Sequence, residues 1–281
     1  MHRYLKPDNL EDALAALADG DLVRAAGCTD LLAATDRKAL PGDVLDLTAV
    51  TGLRGIDHGS GDVRIGGGTT WTDIIRADLP PAFDGLKLAA REVGSIQIQN
   101  RGTIAGNLCN ASPAADGVPP LLTLDASVEL ASVRGVRILP LAEFITGPRQ
   151  IGLEADELLT AVLIPGSATR GASNFIKLGA RKYLVISIAM TAARIAVDDG
   201  VVTEAALSVG ACSPVATRLS EAEAALIGAP LDPSRITDAM VEDALSPIDD
   251  VRADAGYRMS SATELLRRTI TEISLPAEAA A

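Results

Sequence analysis

The sequence has few of the residues that bind metals or form disulfides. Its 281 residues include three cysteines, Cys28, Cys109 and Cys212, and two histidines, His2 and His58. The cysteines lie far apart and form no CxxC pair. This argues against a disulfide framework and against zinc or iron–sulfur ligation by this chain. We therefore predict no metal site, and we interpret Cys109 and Cys212 as small buried apolar residues.

Aromatic residues are also scarce, at 2% of the chain, although hydrophobic residues make up 48%. A large core is therefore possible, but Ala, Val, Leu and Ile must form most of it. The formal net charge is −12, and no basic face is visible, so nucleic acid is not an expected partner. No run of about 18 uncharged apolar residues exists, so no membrane span is expected. No signal peptide is evident, and we expect a cytoplasmic location.

Candidates for acid–base or nucleophilic catalysis are missing as well. The two histidines lie in unpromising contexts, and acid pairs such as Asp198–Asp199 lie in turn-like surroundings. No Ser-His-Asp arrangement is indicated, so we predict no catalytic residue. Such an absence is typical of a protein that positions a redox cofactor and leaves the chemistry to it.

Two strand–glycine–helix junctions are present in the first third of the chain. At the first, a strand over 21–26 leads through Gly27 to a helix predicted over 31–39. At the second, a strand over 63–65 leads through three glycines to a helix capped by Thr69 or Thr70. Backbone N–H groups converge at such junctions and can bind phosphate without a positive side chain. Neither junction is a GxGxxG fingerprint or a Walker loop.

The most unusual stretch runs from Arg101 to Asp116. It combines Gly102 and Gly106 with short polar side chains, and glycine permits close approach of a ligand to the backbone. We predict that a large polar ligand lies against it. Just before it, Ser95–Gln99 alternates apolar and polar residues, which predicts a short strand.

The second half of the sequence predicts antiparallel strands plus helices after a linker at 165–171. The final helix, predicted over 255–270, is expected to carry its arginines on the outer face. Lysine is scarce, so Lys177 is notable. It is either a charged residue at a strand edge or a contact to an anionic or electron-rich ligand presented by the first domain.

Five segments in this order carry a resemblance to a known family: Ala25–Leu31, Ile65–Thr70, Asn100–Asp116, Asp156–Pro165 and Lys177–Arg181. The chain resembles the FAD-binding medium subunit of the molybdenum hydroxylases, which include xanthine dehydrogenase and carbon monoxide dehydrogenase. The resemblance covers essentially the whole chain. It implies an α+β fold with a two-part FAD-binding domain of the vanillyl-alcohol-oxidase/PCMH type over 1–167. A C-terminal α+β domain, an antiparallel sheet plus helices, follows over 172–275.

The resemblance also implies which residues hold FAD. Backbone N–H groups of two loops would bind the pyrophosphate: Ala25, Ala26, Gly27, Cys28, Thr29, Asp30 and Leu31, and then Thr103, Ile104, Ala105, Gly106 and Asn107. Further cofactor-binding residues are Thr69, Asp116, Leu159, Lys177 and Tyr183. Asp116 is expected near the ribose or adenine, and Tyr183 near the flavin ring. Cys28, Ala105 and Val93 depart from the residues common at these positions.

By the same resemblance, the chain is an oxidoreductase subunit of a heteromeric complex, expected to be a dimer of heterotrimers. A large subunit would carry molybdopterin, and a small subunit would carry two [2Fe–2S] clusters. Because this sequence lacks cluster cysteines, electrons would reach FAD from the [2Fe–2S] partner and leave to NAD+ or another acceptor. Two alternatives stay open: a self-sufficient FAD-dependent oxidase of the same fold superfamily, and a non-catalytic nucleotide-binding module.

Overall fold

The computed structural model describes residues 2–33, 40, 42–59 and 61–274. The chain begins with a parallel sheet in the order β1–β3–β2, formed by β1 (Tyr4–Leu5), β2 (Leu22–Ala25) and β3 (Asp43–Asp46). Helix α1 (Leu10–Ala18) connects β1 to β2. Asn9 begins this helix by accepting a hydrogen bond from the Asp12 N–H at 2.9 Å. The buried residues of α1 are Ala13, Leu14 and Leu17.

A five-stranded antiparallel sheet follows, in the order β4–β5–β10–β6–β7. Its strands are β4 (Ile56–Asp57), β5 (Val63–Gly66), β6 (Ser127–Ser132), β7 (Gly135–Pro140) and β10 (Leu158–Ile164). The helices between them are α2 (Trp71–Arg76), α3 (Asp84–Glu92), α4 (Ile96–Gln99), α5 (Ile104–Asn110), α6 (Val118–Thr123) and α7 (Leu141–Phe144). A small hairpin, β8 (Ile145–Gly147) with β9 (Gln150–Ile151), precedes β10.

The largest core lies between this sheet and its helices. Trp71, Phe83 and Phe144 are at most 1% exposed within it, surrounded mainly by leucine, isoleucine, valine and alanine. Burying side chains of this size contributes about 1.5–3 kcal/mol each. The single tryptophan and two of the three phenylalanines of the chain thus lie in this core.

Residues 172–274 form the C-terminal unit, and residues 2–164 are called the N-terminal unit below. The C-terminal sheet has the order β11–β12–β13–β14, all antiparallel, with β11 (Ala172–Leu178), β12 (Ala189–Asp198), β13 (Val201–Gly210) and β14 (Thr217–Arg218). Helices α8 (Ser220–Leu226), α9 (Asp238–Ala244) and α10 (Ala255–Ser274) share a second core with it. The predicted α+β fold class is confirmed. No helix in the described part of the chain combines the length and apolar character that a membrane crossing needs.

The two units pack closely against each other. A buried cluster spans the interface, formed by Ala89, Phe175, Met190, Ala192 and Ala211. The Gly85 N–H donates to Ser173 Oγ at 2.8 Å, which joins α3 to β11.

On another side, Arg194 of β12 joins the C-terminal unit to the end of α6. Its Nε donates to the Thr123 carbonyl at 2.8 Å, and its side chain is 5% exposed. The last carbonyls of a helix lack partners within the helix, so this arginine satisfies one of them. Its guanidinium also pairs with Glu204 at 2.9 Å. The interface is therefore fixed by polar contacts as well as by packing.

Three local predictions need correction or qualification. Ser95–Gln99 is not a strand: Ile96–Gln99 is α4, with the Gln99 N–H bonded to the Ser95 carbonyl at 2.8 Å. Alternation over five residues cannot separate a strand from one helical turn when no strand lies alongside. Residues 31–33 of the helix predicted over 31–39 form a turn, and 34–39 lie outside the described residues. The expectation for the final helix fails at Arg258, which is 1% exposed.

Asp46 at the end of β3 ties the first strand to the sheet, and its ionisation generates a prediction. Burial acts to raise the pKa of Asp46, but hydrogen bonds from Thr48, Tyr4 and Lys6 outweigh it and lower the pKa from 3.8 to about 2. The folded state therefore favours the carboxylate. This contribution to stability is complete above pH 3.8 and is lost as the pH falls toward 2.

We predict that Asp46→Asn lowers the free energy of unfolding by about 1 kcal/mol at pH 7. The difference from the native chain should shrink between pH 4 and pH 2, as urea unfolding at several pH values would show. Asp21→Asn is the matched control, because Asp21 is exposed and makes no side-chain bond to a described residue. A difference that stays constant with pH would contradict the assignment.

Candidate cofactor site

A cleft of about 940 Å³ lies between the N-terminal and C-terminal units. The N-terminal unit contributes the loop at 26–31 and much of the stretch at 102–116. The C-terminal unit contributes Lys177, residues 184–187 and parts of 248–258. Small and apolar residues form much of the lining. A cleft of this size between two units suits a large elongated ligand.

The loop at 26–31 follows directly from β2 and lies against the backbone at 101–102. A Cβ on Gly27 would lie 1.9 Å from the Arg101 carbonyl oxygen, so only glycine fits. Cys28 has a φ of +58°, and its thiol donates to the Ala26 carbonyl at 3.4 Å. Within the described residues, the backbone N–H groups of 27–30 donate to no protein acceptor. They form a row of free donors at the cleft, where an anion can bind.

Helix α5 begins directly after residues 101–102, against which this loop lies. Thr103 is its N-cap, since Thr103 Oγ1 accepts from the Gly106 N–H at 3.1 Å and its carbonyl from the Asn107 N–H at 3.0 Å. The N–H groups of Ile104 and Ala105 donate to carbonyls of the preceding glycine-rich turn, at 3.0 and 3.1 Å. In this segment, the Thr103 N–H alone has no partner among the described residues. The first loop therefore offers more free donors than the second.

Asn107 lines the cleft and has an unsatisfied side-chain atom. Its Oδ1 is buried and has no donor in the described part of the chain. A buried acceptor without a partner costs about 1–3 kcal/mol. A ligand hydroxyl that donated to the Asn107 Oδ1 would remove this cost.

Asp116 joins the two units at the cleft. Its Oδ2 lies 2.7 Å from Lys177 Nζ, and its Oδ1 accepts from Ser187 Oγ at 2.6 Å. The side chains of Asp116 and Lys177 are 9% and 6% exposed. Burial raises the pKa of the Asp116 carboxyl, and the Lys177 ammonium and Ser187 hydroxyl act against that shift. Lys177 is therefore a buried ion-pair partner rather than a solvated residue at a strand edge.

Arg258 organises the far wall of the cleft. Its guanidinium donates to the Ala211 carbonyl at 2.7 Å and to Asp250 Oδ1 at 2.6 Å. Asp250 also pairs with Arg252 at 2.6 Å. Two guanidiniums thus share one carboxylate at this wall.

The structure brings most of the predicted site residues together. Those that line the cleft are Ala26, Gly27, Cys28, Thr29, Asp30, Leu31, Thr103, Gly106, Asn107, Asp116 and Lys177. Those that do not are Ala25, Thr69, Ile104, Ala105, Leu159 and Tyr183. Thr69 is fully buried and exchanges hydrogen bonds with Gly55 at 3.0 Å in both directions. Tyr183 is 64% exposed, beside the cleft rather than in its lining.

Several lining residues carried no usable signal in the sequence. They include Trp71, Arg149, Ser187, Ala211, Asp250 and Arg258. Trp71 directly follows the second glycine-rich junction, so its position in that motif was the one available hint. The others come from a hairpin tip, a sheet connection and the start of a distant helix. Sequence spacing says nothing about which of those segments meet at one cleft.

Comparison with known proteins gives two family matches. Residues 1–167 match the FAD binding domain in molybdopterin dehydrogenase. Residues 174–273 match the CO dehydrogenase flavoprotein C-terminal domain.

Relatives of known description are similar along nearly the whole chain. The nicotinate dehydrogenase FAD-subunit of Eubacterium barkeri is 34% identical, with 96% of this chain and 95% of the relative covered. The putative xanthine dehydrogenase FAD-binding subunit of Escherichia coli K12 is 32% identical, with 96% and 94% covered. The carbon monoxide dehydrogenase medium chain of Afipia carboxidovorans is 29% identical, with 95% and 94% covered.

Solved structures agree with these matches. Carbon monoxide dehydrogenase from Oligotropha carboxidovorans superposes with a TM-score of 0.89 at 29% identity, covering 96% of both chains. Quinoline 2-oxidoreductase from Pseudomonas putida 86 superposes with a TM-score of 0.86 at 27% identity, covering 97% of this chain and 96% of the other. The chain therefore belongs to the FAD-binding medium subunits of the molybdenum hydroxylases, and it is an oxidoreductase subunit whose cofactor is FAD.

Proposed function

We propose that FAD lies along the cleft, with its pyrophosphate against the loop at 26–31. The observation that carries this placement is the row of backbone N–H groups at 27–30 that find no acceptor in the described part of the chain. An anion bound by amide dipoles needs no cationic side chain. This fits a chain with a net charge of −12.

The donor set of the cleft fits the rest of the cofactor as well. The free Thr103 N–H lies beside the first loop, and the Asn107 amide is available to the ribityl or ribose hydroxyls. Apolar residues, including Val93, Ile98, Ala114 and Ala211, line the same cleft and suit the faces of aromatic rings. The residues outside the lining, such as Thr69 and Leu159, would support the walls from behind.

In this proposal the chain carries electrons between partner subunits and an acceptor. FAD supplies the redox chemistry, while this chain binds the cofactor, orients it and shields it from water. Electrons would come from a [2Fe–2S] small subunit, because the three separated cysteines of this chain cannot ligate such a cluster. They would leave to NAD+ or another acceptor. Relatives described as FAD subunits and medium chains support this assignment.

The same proposal assigns the surroundings of the chain. A molybdopterin-binding large subunit would act on the substrate, and the complex would be a dimer of heterotrimers. Cys28, Cys109 and Cys212 are free thiols, which favours a reducing, cytoplasmic setting. We also propose the domain division at 167 and 172, which is supported by the change from the five-stranded sheet to the C-terminal sheet.

The placement of the pyrophosphate is tested at Gly27. Gly27→Ala should weaken FAD binding by roughly tenfold to hundredfold, because the new Cβ would push the loop away from residue 101. A fluorescence titration of the FAD-free full chain with FAD measures this. The control is Gly20→Ala, where an added Cβ meets nothing within 4 Å. Equal affinity of the Gly27→Ala and native chains would show that FAD does not rest on this loop.

The electron route is tested by recombining subunits. The chain loaded with FAD should keep its flavin absorbance when an N-heterocyclic or aldehyde substrate of the complex is added alone. The absorbance should bleach once the molybdopterin and [2Fe–2S] subunits are also present. Bleaching by substrate without partners would instead support a self-sufficient oxidase. FAD that neither the completed complex nor NADH can reduce would indicate a nucleotide-binding module.

A further inference from the structure

Trp71 is the single tryptophan of the chain, and it is part of the cleft lining. The residue is 1% exposed and packs in the largest core. Its indole N–H donates to no acceptor among the described residues. A buried tryptophan N–H usually has a hydrogen-bond partner. The lack of one here points to a group outside the chain.

Two glycines hold the indole ring in one orientation. A Cβ on Gly117 would lie 2.5 Å from Trp71 Cη2, and a Cβ on Gly102 would lie 3.4 Å from Trp71 Cδ1. The backbone N–H of Trp71 also donates to the Gly102 carbonyl at 3.2 Å. The long axis of the ring therefore runs between the two glycines. Because Nε1 is bonded to Cδ1, the indole N–H lies at the Gly102 end of the ring.

The Gly102 end of the ring is the end at which the loop at 26–31 lies. A Cβ on Gly102 would be 3.4 Å from Thr29 Oγ1 as well as 3.4 Å from Trp71 Cδ1. The ring and the loop thus meet at this glycine, and both line the cleft. The loop carries the N–H groups at 27–30 that find no acceptor in the described part of the chain. The indole N–H extends this group of donors from the backbone to a side chain.

The indole nitrogen is not sealed inside the core. Among the described residues, the fully buried side-chain nitrogen and oxygen atoms that lack a partner are Asn107 Oδ1 and Arg258 Nε. Trp71 Nε1 lacks a partner but is not one of these atoms, so it keeps accessible surface. The cleft is the cavity that Trp71 lines. A group bound in the cleft can therefore reach this nitrogen.

We propose that Trp71 Nε1 donates a hydrogen bond to a phosphate oxygen of FAD, which adds one side chain to the backbone donors of the loop at 26–31. This inference rests on the proposed placement of the pyrophosphate. Hydrogen bonds to an ionised acceptor are stronger than those between neutral groups. The indole nitrogen is a donor only, and the packing of the ring fixes its direction before the ligand arrives.

The hydrogen bond can be observed directly by NMR. Because the chain has one tryptophan, its indole N–H gives a single signal in a proton–nitrogen correlation spectrum. Adding FAD to the isotope-labelled, FAD-free full chain should move this signal downfield and slow its exchange with water. ADP, which has the pyrophosphate but no flavin, should do the same, whereas riboflavin, which has no phosphate, should not. A downfield shift with riboflavin, or none with FAD and ADP, would overturn the assignment.

Trp71→Phe removes the donor and keeps a buried aromatic ring. We expect FAD and ADP to bind roughly tenfold to hundredfold more weakly, as loss of a hydrogen bond to a charged group implies. Phe83→Leu is the matched control, because Phe83 is fully buried in the same core but does not line the cleft. Its affinity for FAD should equal that of the native chain, and urea unfolding verifies that both variants are folded.

The outcomes separate the role of Trp71 from the placement of FAD. Equal affinity of the Trp71→Phe and native chains, with Gly27→Ala still weakening FAD binding, would contradict the donor role and leave the placement standing. An equal loss of affinity in Phe83→Leu would show that core packing, rather than the indole N–H, is responsible. If neither Trp71→Phe nor Gly27→Ala changed the affinity, the placement itself would be wrong.

Discussion

The architecture of the site depends on how closely four backbone segments approach one another, which glycine alone permits. Gly27 lies so near the Arg101 carbonyl that a Cβ would be 1.9 Å away, and a Cβ on Gly67 would be 2.4 Å from the Leu159 carbonyl. The loop after β2, the turn after β5, the start of α5 and β10 therefore meet without side chains between them. At this junction the protein satisfies the first N–H groups of α5, while those of 27–30 donate to no acceptor among the described residues. The free donors are a consequence of the packing.

The second feature that shapes the site is the closure of the two units against each other. The C-terminal sheet packs its apolar residues on α3 and α6, and Arg194 binds the carbonyl that α6 leaves free. At the cleft the closure is polar, through Asp116, Lys177 and Ser187. A buried ion pair adds little net stability once its desolvation is counted. Its value here is geometric, because it fixes how the two units meet at the cleft.

The sequence predicted the loops that the N-terminal unit contributes to the cleft better than the residues that the C-terminal unit contributes. The loop at 26–31 and the stretch from Thr103 to Asp116 were found because their glycines and short polar residues form compact local patterns. Thr69 ends the second glycine-rich junction and Leu159 lies beside that junction on β10, yet neither residue lines the cleft. A local pattern identifies the junction, but the direction of each side chain depends on the packing around it. Ser95–Gln99 shows the same limit, since one helical turn and a short strand share its alternation.

By itself, the sequence determined the α+β class, the two glycine loops and the family that uses FAD. These follow from composition and from motifs that are contiguous in the chain. Only the tertiary structure decided that Lys177 is paired with Asp116, that Arg258 is buried at the cleft, and that Ser187 donates to Asp116. Asp116 and Ser187 are 71 residues apart, and their contact depends on how two sheets pack, which no local pattern encodes. Short contiguous segments therefore predict the loops that line the site, whereas contacts between distant residues depend on the assembled fold.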